Sequence, residues 1–268
     1  MKLTNAFFIL TIILVQTVKI VNVQNGIEPY NEIMNSTFKI QDLSGRPIGT
    51  AFLFAKQSDK NTSSKDYILV TANHVLRGMK GDSAIIFLRK QMKTGGYEKI
   101  QQIIEIRNNG NPLWIKHENA DVAAINISVP QIDALNLMSP DVLATDETIK
   151  QARISTGYQF TCFGYPLGKE ANEFGFPMSQ NGKLSSRIIP MKQIKIISLK
   201  IPIDRGYSGG PVYFEQNSGV KTNQILIGLV SSMLSIKNQE NENEDTAIAD
   251  IVPAAFIKET IDRLKDKN

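Results

Sequence analysis

A serine surrounded by turn-forming residues is the part of this chain best suited to chemistry. Residues 206–212 read Gly-Tyr-Ser-Gly-Gly-Pro-Val, so Ser208 lies among glycines that let the backbone turn tightly behind its hydroxyl. Such a turn also aims neighbouring backbone N–H groups at one point, which stabilises an oxyanion, and we predict Gly206 and Ser208 as the two donors. Because a serine hydroxyl is a weak nucleophile, the same chemistry needs a base and a carboxylate that orients the base.

Candidates for the base and the carboxylate lie upstream of Ser208. His74 lies in Thr-Ala-Asn-His-Val, directly after an apolar run at 68–70, and is the predicted general base. Asp121 begins the run Asp-Val-Ala-Ala-Ile, so we predict that its carboxylate lies at the mouth of a buried strand and accepts the imidazole Nδ1–H. An ordinary turn aspartate is the alternative for Asp121. His117, the other histidine, lies in a polar loop and is predicted to be solvated.

The three segments follow one another in the order His, Asp, Ser, and together they resemble the chymotrypsin-like (trypsin-fold) serine proteases. In that family a T-A-x-H segment carries the base, a D-[IVL]-A-x-[IVL] segment carries the aspartate, and G-x-S-G-G-P carries the nucleophile. Three motifs in the right order are far more specific than one. The resemblance covers roughly residues 36–265. In motif style, the Gly-Tyr-Pro-Leu-Gly turn at 164–168 is closest to bacterial trypsin-like and HtrA-type peptidases, here expected without a PDZ module.

The resemblance implies a serine endopeptidase that hydrolyses peptide bonds through an acyl-enzyme on Ser208. Digestive trypsins place an aspartate directly before the nucleophile, where it pairs with a newly freed N-terminus. This chain has Tyr207 at that position, so we expect no such activation. Two alternatives stay open: a catalytically latent or inactive protein that acts as a binding module, and an esterase with the same triad. The expected partners are protein or peptide substrates, with no metal and no cofactor, and the oligomeric state is left open.

The primary specificity pocket is less clearly indicated. By resemblance, one wall is the segment before the nucleophile, with Pro202 and Ile203, and the other is a later strand, with Ser231, Ser232 and Met233. Trypsins carry an aspartate six residues before the serine, where this chain has proline, and no histidine follows position 117 to bind an acidic side chain. We therefore expect a small or medium apolar side chain before the scissile bond.

Short strands separated by turn residues must position these motifs. Apolar segments of strand type lie at 37–40, 49–55, 66–71, 83–88, 98–107, 122–127, 159–163, 194–201, 211–214 and 225–231. This density is typical of an all-β fold and not of alternating strands and helices. The resemblance implies two six-stranded antiparallel Greek-key β-barrels, at about 36–130 and 152–252, joined by a linker at about 131–151. A helix over about 253–266 is predicted to present Ala255, Phe256, Ile261 and Leu264 on one apolar face.

Composition limits the possible partners. The chain has 268 residues, of which 42% are apolar and 21% are charged, as in ordinary globular domains. Its net charge of +4 comes from basic residues scattered among nearly as many acidic ones, so no nucleic-acid partner is expected.

The N-terminus predicts export. Residues 1–25 combine a short basic start with an apolar run at 6–15, which is typical of a signal peptide, although the cleavage site is uncertain. An uncleaved signal anchor is the alternative. We therefore expect a secreted or periplasmic protein whose peptidase domain spans 26–268, without stable membrane insertion after signal removal. Cys162 is the single cysteine, so no internal disulfide can form.

Overall fold

The computed structural model describes residues 32–55, 64–93, 95–130, 137–217, 222–236 and 246–265. The predicted signal peptide lies outside these residues. Within the described ranges, no helix is both long enough and apolar enough to cross a membrane.

The first half of the chain forms an antiparallel sheet of seven strands and a separate pair of short strands. The strands are β1 (Thr37–Asp42), β2 (Pro47–Ala55), β3 (Ser64–Thr71), β4 (Ser83–Gln91), β5 (Tyr97–Glu105), β6 (Arg107–Asn108), β7 (Asn111–Pro112), β8 (Ile115–Lys116) and β9 (Ala123–Pro130). The order in the large sheet is β5-β4-β1-β2-β3-β9-β8, and β6 pairs with β7. A short helix α1 (Glu32–Asn35) precedes β1, and α2 (Asn73–Arg77) follows β3.

The central strands of this sheet are buried on both faces. Consecutive residues 51–54 of β2 and 67–70 of β3 are all buried, which explains why the two segments are continuous apolar runs and do not alternate with polar residues. The site histidine follows directly after β3, so the most buried part of the sheet supports it.

The second half of the chain forms a closed six-stranded antiparallel barrel. Its strands are β10 (Gln159–Gly164), β11 (Met178–Leu184), β12 (Ile197–Lys200), β13 (Pro211–Asn217), β14 (Thr222–Ile236) and β15 (Thr246–Pro253), and their order around the barrel is β10-β11-β12-β15-β14-β13. The buried rings of Phe160 in β10 and Phe214 in β13 meet edge to face, with their centroids 5.8 Å apart. This barrel confirms the barrel predicted for the second half.

The first half differs from the predicted six-stranded barrel, because its sheet stays open between β5 and β8. Strand β5 approaches β9 without pairing with it. Most residues of β5 are exposed or half-buried, including Ile103 at 53% exposure, and β8 is only two residues long. So short an edge strand offers too few backbone groups to close the sheet by hydrogen bonds.

The predicted C-terminal helix is confirmed as α4 (Ala254–Lys265), which packs against β9, β14 and β15. Of its predicted apolar face, Phe256, Ile261 and Leu264 are buried, and Ala255 is half-buried. The predicted linker contains a helix that the sequence did not indicate, α3 (Asp146–Gln151). Thr145 begins this helix through a capping box with Thr148, which explains how so polar a stretch becomes helical.

Candidate active site

His74 is held by the first turn of α2, directly after β3. Backbone N–H groups in the first turn of a helix lack intrahelical partners, and Asp121 Oδ1 accepts the His74 N–H at 2.9 Å. The second carboxylate oxygen, Oδ2, lies 2.6 Å from His74 Nδ1. This geometry places the ring proton on Nδ1, donating to the carboxylate, and leaves Nε2 with a lone pair that can accept a proton.

Asp121 precedes β9, as its sequence position predicted, and it has a further partner in β14. The Ser231 hydroxyl donates to Asp121 Oδ2 at 2.7 Å. Burial opposes the ionisation of Asp121, but the hydrogen bonds from His74 and Ser231 outweigh it, so the pKa of this carboxyl lies below its ordinary value. Asp121 is therefore charged at neutral pH and can stabilise a protonated imidazole.

Ser208 lies in a turn that is held between the two halves of the chain. Its carbonyl accepts the Thr50 N–H of β2 at 2.9 Å, and the neighbouring Gly209 N–H donates to Val230 O of β14 at 2.7 Å. The Ser208 hydroxyl donates to the Ser231 carbonyl at 3.5 Å, and within the described ranges it forms no hydrogen bond with His74. Ser231 therefore contacts both Ser208 and Asp121, and through it the three predicted residues meet at one site.

The two predicted oxyanion donors are available. Among the described residues, the backbone N–H groups of Gly206 and Ser208 have no acceptor, so both can donate to a ligand. Gly206 has φ of +107°, a conformation that L side chains rarely adopt, and an added Cβ would overlap the carbonyl oxygen of Tyr165. Glycine is needed at this position for its backbone conformation and for its lack of a side chain.

Tyr207 is buried behind the nucleophile, with 2% of its surface exposed. Its ring packs against Gly164, where an added Cβ would overlap the ring. The phenol has no hydrogen-bond partner among the described residues, and burial raises its pKa. This position therefore carries an uncharged aromatic side chain and offers no carboxylate that could bind an N-terminal ammonium group.

The residues predicted to line the specificity pocket lie in the segment after β12 and in β14, the two strands that pair with β15. In the segment after β12, Ile203 is buried and Pro202 is exposed. In β14, Ser232 is exposed and Met233 is 38% exposed. Ser231 differs from this group, because its hydroxyl contacts Asp121.

The prediction that His117 is solvated is wrong, because only 8% of its surface is exposed. Its Nδ1 accepts the Asn119 N–H at 3.1 Å, and its Nε2 lies 3.1 Å from Glu259 Oε2 of α4. The imidazole ring also packs against the Phe256 ring, with the two ring centroids 4.9 Å apart. His117 thus ties α4 to the turn that leads into Asp121, and its helix partner is 142 residues away in sequence.

Two site contacts were not indicated by the sequence. The Ser231 hydroxyl reaches Asp121 across 110 residues, and the Thr50 hydroxyl reaches Gly206 across 156. Serine and threonine are common in strands, so neither carried a local signal. In the described part of the chain, no three His, Cys, Asp or Glu side chains are arranged to hold a metal ion.

Residues 49–220 match the family model of the trypsin-like peptidase domain. This span is more than half of the 268 residues and includes His74, Asp121 and Ser208. It ends before β14, so Ser231 lies beyond it. No curated protein matches the chain.

Proposed function

The chain belongs to the trypsin-like peptidase family, and from this we propose that it is a serine endopeptidase whose chemistry is carried by His74, Asp121 and Ser208. The observation that carries the proposal is the 2.6 Å contact between His74 Nδ1 and Asp121 Oδ2. It leaves His74 Nε2 free to act as a base. Ser231, which contacts both Asp121 and Ser208, connects this pair to the serine in the glycine-lined turn.

In the proposed reaction, Ser208 Oγ attacks the carbonyl carbon of the scissile peptide bond while His74 Nε2 takes the hydroxyl proton. The N–H groups of Gly206 and Ser208 bind the negative charge that develops on the carbonyl oxygen. His74 then gives its proton to the leaving nitrogen, the C–N bond breaks, and an ester on Ser208 remains. A water molecule, deprotonated by His74, hydrolyses this ester, and the proton returns to Ser208.

A latent protein that binds without cleaving is the second candidate, and the direction of the Ser208 hydroxyl favours it. This hydroxyl donates to the Ser231 carbonyl, whereas the proposed reaction requires it to donate to His74. Rotation about a single side-chain bond redirects a serine hydroxyl, and catalytic hydrogen bonds often form fully only when substrate is bound. We therefore place cleavage first and latency second.

The proposal includes activity without a newly freed N-terminus. Buried, uncharged Tyr207 supports this part, because it occupies the position of the carboxylate that binds such a terminus in digestive trypsins. We also propose a secreted or periplasmic location and a likeness to HtrA-type peptidases, supported by the apolar N-terminal run and by the turn at 164–168. Ile203 and Met233 support a small or medium apolar side chain before the scissile bond.

Cleavage of a peptide library tests the proposal. The purified protein is incubated with the library, and the cut sites are read by mass spectrometry, beside Ser208→Ala and a control, Ser185→Ala, which replaces an exposed serine outside the site. We expect internal cuts after small or medium apolar residues with the wild type and with Ser185→Ala, and none with Ser208→Ala. Cuts that persist in Ser208→Ala, or a folded wild type that makes none, would contradict it.

A further inference from the structure

The orientation of one peptide bond decides whether the Gly206 N–H faces a substrate oxygen. In a trans peptide the C=O and N–H groups point in opposite directions, so the Arg205 carbonyl and the Gly206 N–H cannot face the same side. The Leu167 N–H donates to the Arg205 carbonyl at 2.7 Å. This bond holds the carbonyl on one side and thereby aims the Gly206 N–H at the other.

The following peptide is held by Thr50, whose side chain is fully buried. The Thr50 hydroxyl donates to the Gly206 carbonyl at 2.7 Å, and the Thr50 backbone N–H donates to the Ser208 carbonyl at 2.9 Å. One residue of β2 therefore fixes the carbonyls of both residues whose N–H groups are the proposed oxyanion donors.

The direction of the Thr50 hydroxyl is set by a third bond. Its oxygen accepts the Tyr165 N–H at 3.2 Å, and a hydroxyl has only one proton, which is thus left for the Gly206 carbonyl. Tyr165 and Leu167 belong to the same turn, so the groups that hold Arg205 and Gly206 are themselves connected. The turn is under strain, because Leu167 has φ of +51° without being glycine.

Thr50 also contacts the segment that carries the base. Its carbonyl accepts the Thr71 hydroxyl at 2.6 Å, at the end of β3, three residues before His74. The backbone and side chain of Thr50 therefore touch the segments that carry the base, the nucleophile and the oxyanion donors. Because each polar atom of Thr50 is used, a residue without a hydroxyl would leave the buried Tyr165 N–H and the half-buried Gly206 carbonyl unpaired.

We propose that Thr50 is a positioning residue: its hydroxyl joins the Gly206 carbonyl to the turn that holds the Arg205 carbonyl, and so keeps the Gly206 N–H between them aimed at the substrate carbonyl oxygen. The inference rests on the proposed function, because the orientation of this N–H matters only if Ser208 is acylated. Thr50 does not touch the substrate. It acts through the Gly206–Tyr207 peptide, and its loss is expected to slow the chemical step more than it weakens substrate binding.

Replacing the hydroxyl alone provides the test. Thr50→Val keeps the shape and the backbone N–H, and Thr50→Ser keeps the hydroxyl. For Thr50→Val we expect kcat to fall by about 10-fold to 10²-fold, near or below the loss of one oxyanion donor, with KM little changed. Binding of a peptide boronate, which forms a tetrahedral adduct on the serine, should weaken by a similar factor, and Thr50→Ser should restore both values to within about threefold of the wild type. Should Thr50→Val fail to fold, Thr50→Ala replaces it.

Any other outcome shows whether the role of Thr50 or the proposed function is wrong. An active wild type whose Thr50→Val variant keeps its kcat would overturn the role of Thr50 and leave the proposed function standing. A fall in kcat that Thr50→Ser does not reverse, or one matched by a rise in KM, would indicate a merely structural role and would overturn it as well. A folded wild type that neither cleaves peptides nor binds the boronate would overturn the proposed function, and the role of Thr50 with it.

Discussion

Substitution of Gly206 by alanine tests the oxyanion site without touching any catalytic side chain. Gly206 has φ of +107°, and an added Cβ would overlap the Tyr165 carbonyl oxygen and lie 3.0 Å from the Leu167 nitrogen. Both neighbours are backbone atoms that cannot rotate away, so the Gly206 backbone itself must move. Its N–H then leaves the position from which it donates to the substrate oxygen.

The expected loss follows from this displacement. Removing one oxyanion donor costs about 10²-fold to 10³-fold in kcat, or about 2.7–4 kcal/mol of transition-state stabilisation. A second effect is on folding stability, because an alanine at positive φ lowers the free energy of unfolding by about 1–2 kcal/mol. Gly157→Ala isolates this second effect, because Gly157 has φ of +88° and no atom lies within 4 Å of an added Cβ.

The assay compares kcat, KM and urea unfolding for the wild type and both variants on one peptide substrate. We expect both variants to lose stability and only Gly206→Ala to lose kcat. A folded Gly206→Ala enzyme whose kcat stays within about threefold of the wild type would refute the assignment of its N–H as an oxyanion donor. Equal losses of kcat in the two variants would show that destabilisation, not the donor, sets the rate.

Three further changes follow from other contacts. Ser231→Ala removes a hydrogen bond that helps to keep the pKa of Asp121 low, so the pKa should rise and kcat/KM should fall about tenfold or more. On acidification, the variant should lose its activity at a higher pH than the wild type does. A pH profile that matches the wild type would contradict the role of Ser231 in lowering the pKa of Asp121. Tyr207→Phe should leave the free energy of unfolding unchanged or raised, because its buried hydroxyl is unpaired among the described residues, whereas Tyr165→Phe, which loses bonds to Arg89 and two carbonyls, should cost about 1–3 kcal/mol. Urea unfolding measures the free energy of unfolding of each variant, and equal losses in Tyr207→Phe and Tyr165→Phe would contradict this expectation. Hydrogen bonds, the strongest of them from Ser44, lower the pKa of Asp42 although burial opposes its ionisation. The charged Asp42 carboxylate therefore stabilises the folded protein at neutral pH, and this stabilisation is lost as the pH falls through the lowered pKa. The Tm difference between wild type and Asp42→Asn should therefore shrink on acidification. A Tm difference that stays constant with pH would show that the charge of the Asp42 carboxylate does not stabilise the fold.

The sequence predicted elements best where a local apolar run ends in turn residues. The strands that lead to His74 and away from Asp121 are of this kind, as is the glycine-rich turn at Ser208. Strand β11 was missed because its sequence, Met-Ser-Gln-Asn-Gly-Lys-Leu, is polar and largely exposed. Its strand conformation comes from pairing with β10 and β12, which no local pattern encodes.

The parts of the site that escaped prediction depend on contacts between distant segments. Ser231 was assigned to a pocket wall from its place in a strand, yet its hydroxyl faces Asp121 from the other half of the chain. The polar loop around His117 predicts a solvated side chain, whereas Phe256 and Glu259 of α4, far away in sequence, pack against it. The open sheet has the same origin, since closure depends on the length of the edge strands and on which of them meet.

Whether Ser208 is an activated nucleophile is the central question, and covalent labelling answers it most directly. The purified protein is treated with an organophosphonate serine-hydrolase probe beside Ser208→Ala and His74→Ala, and each is followed by intact mass. The proposed function predicts one adduct per wild-type molecule and none in either variant. A well-folded wild type that stays unlabelled would contradict it and would leave the latent, binding protein as the better description.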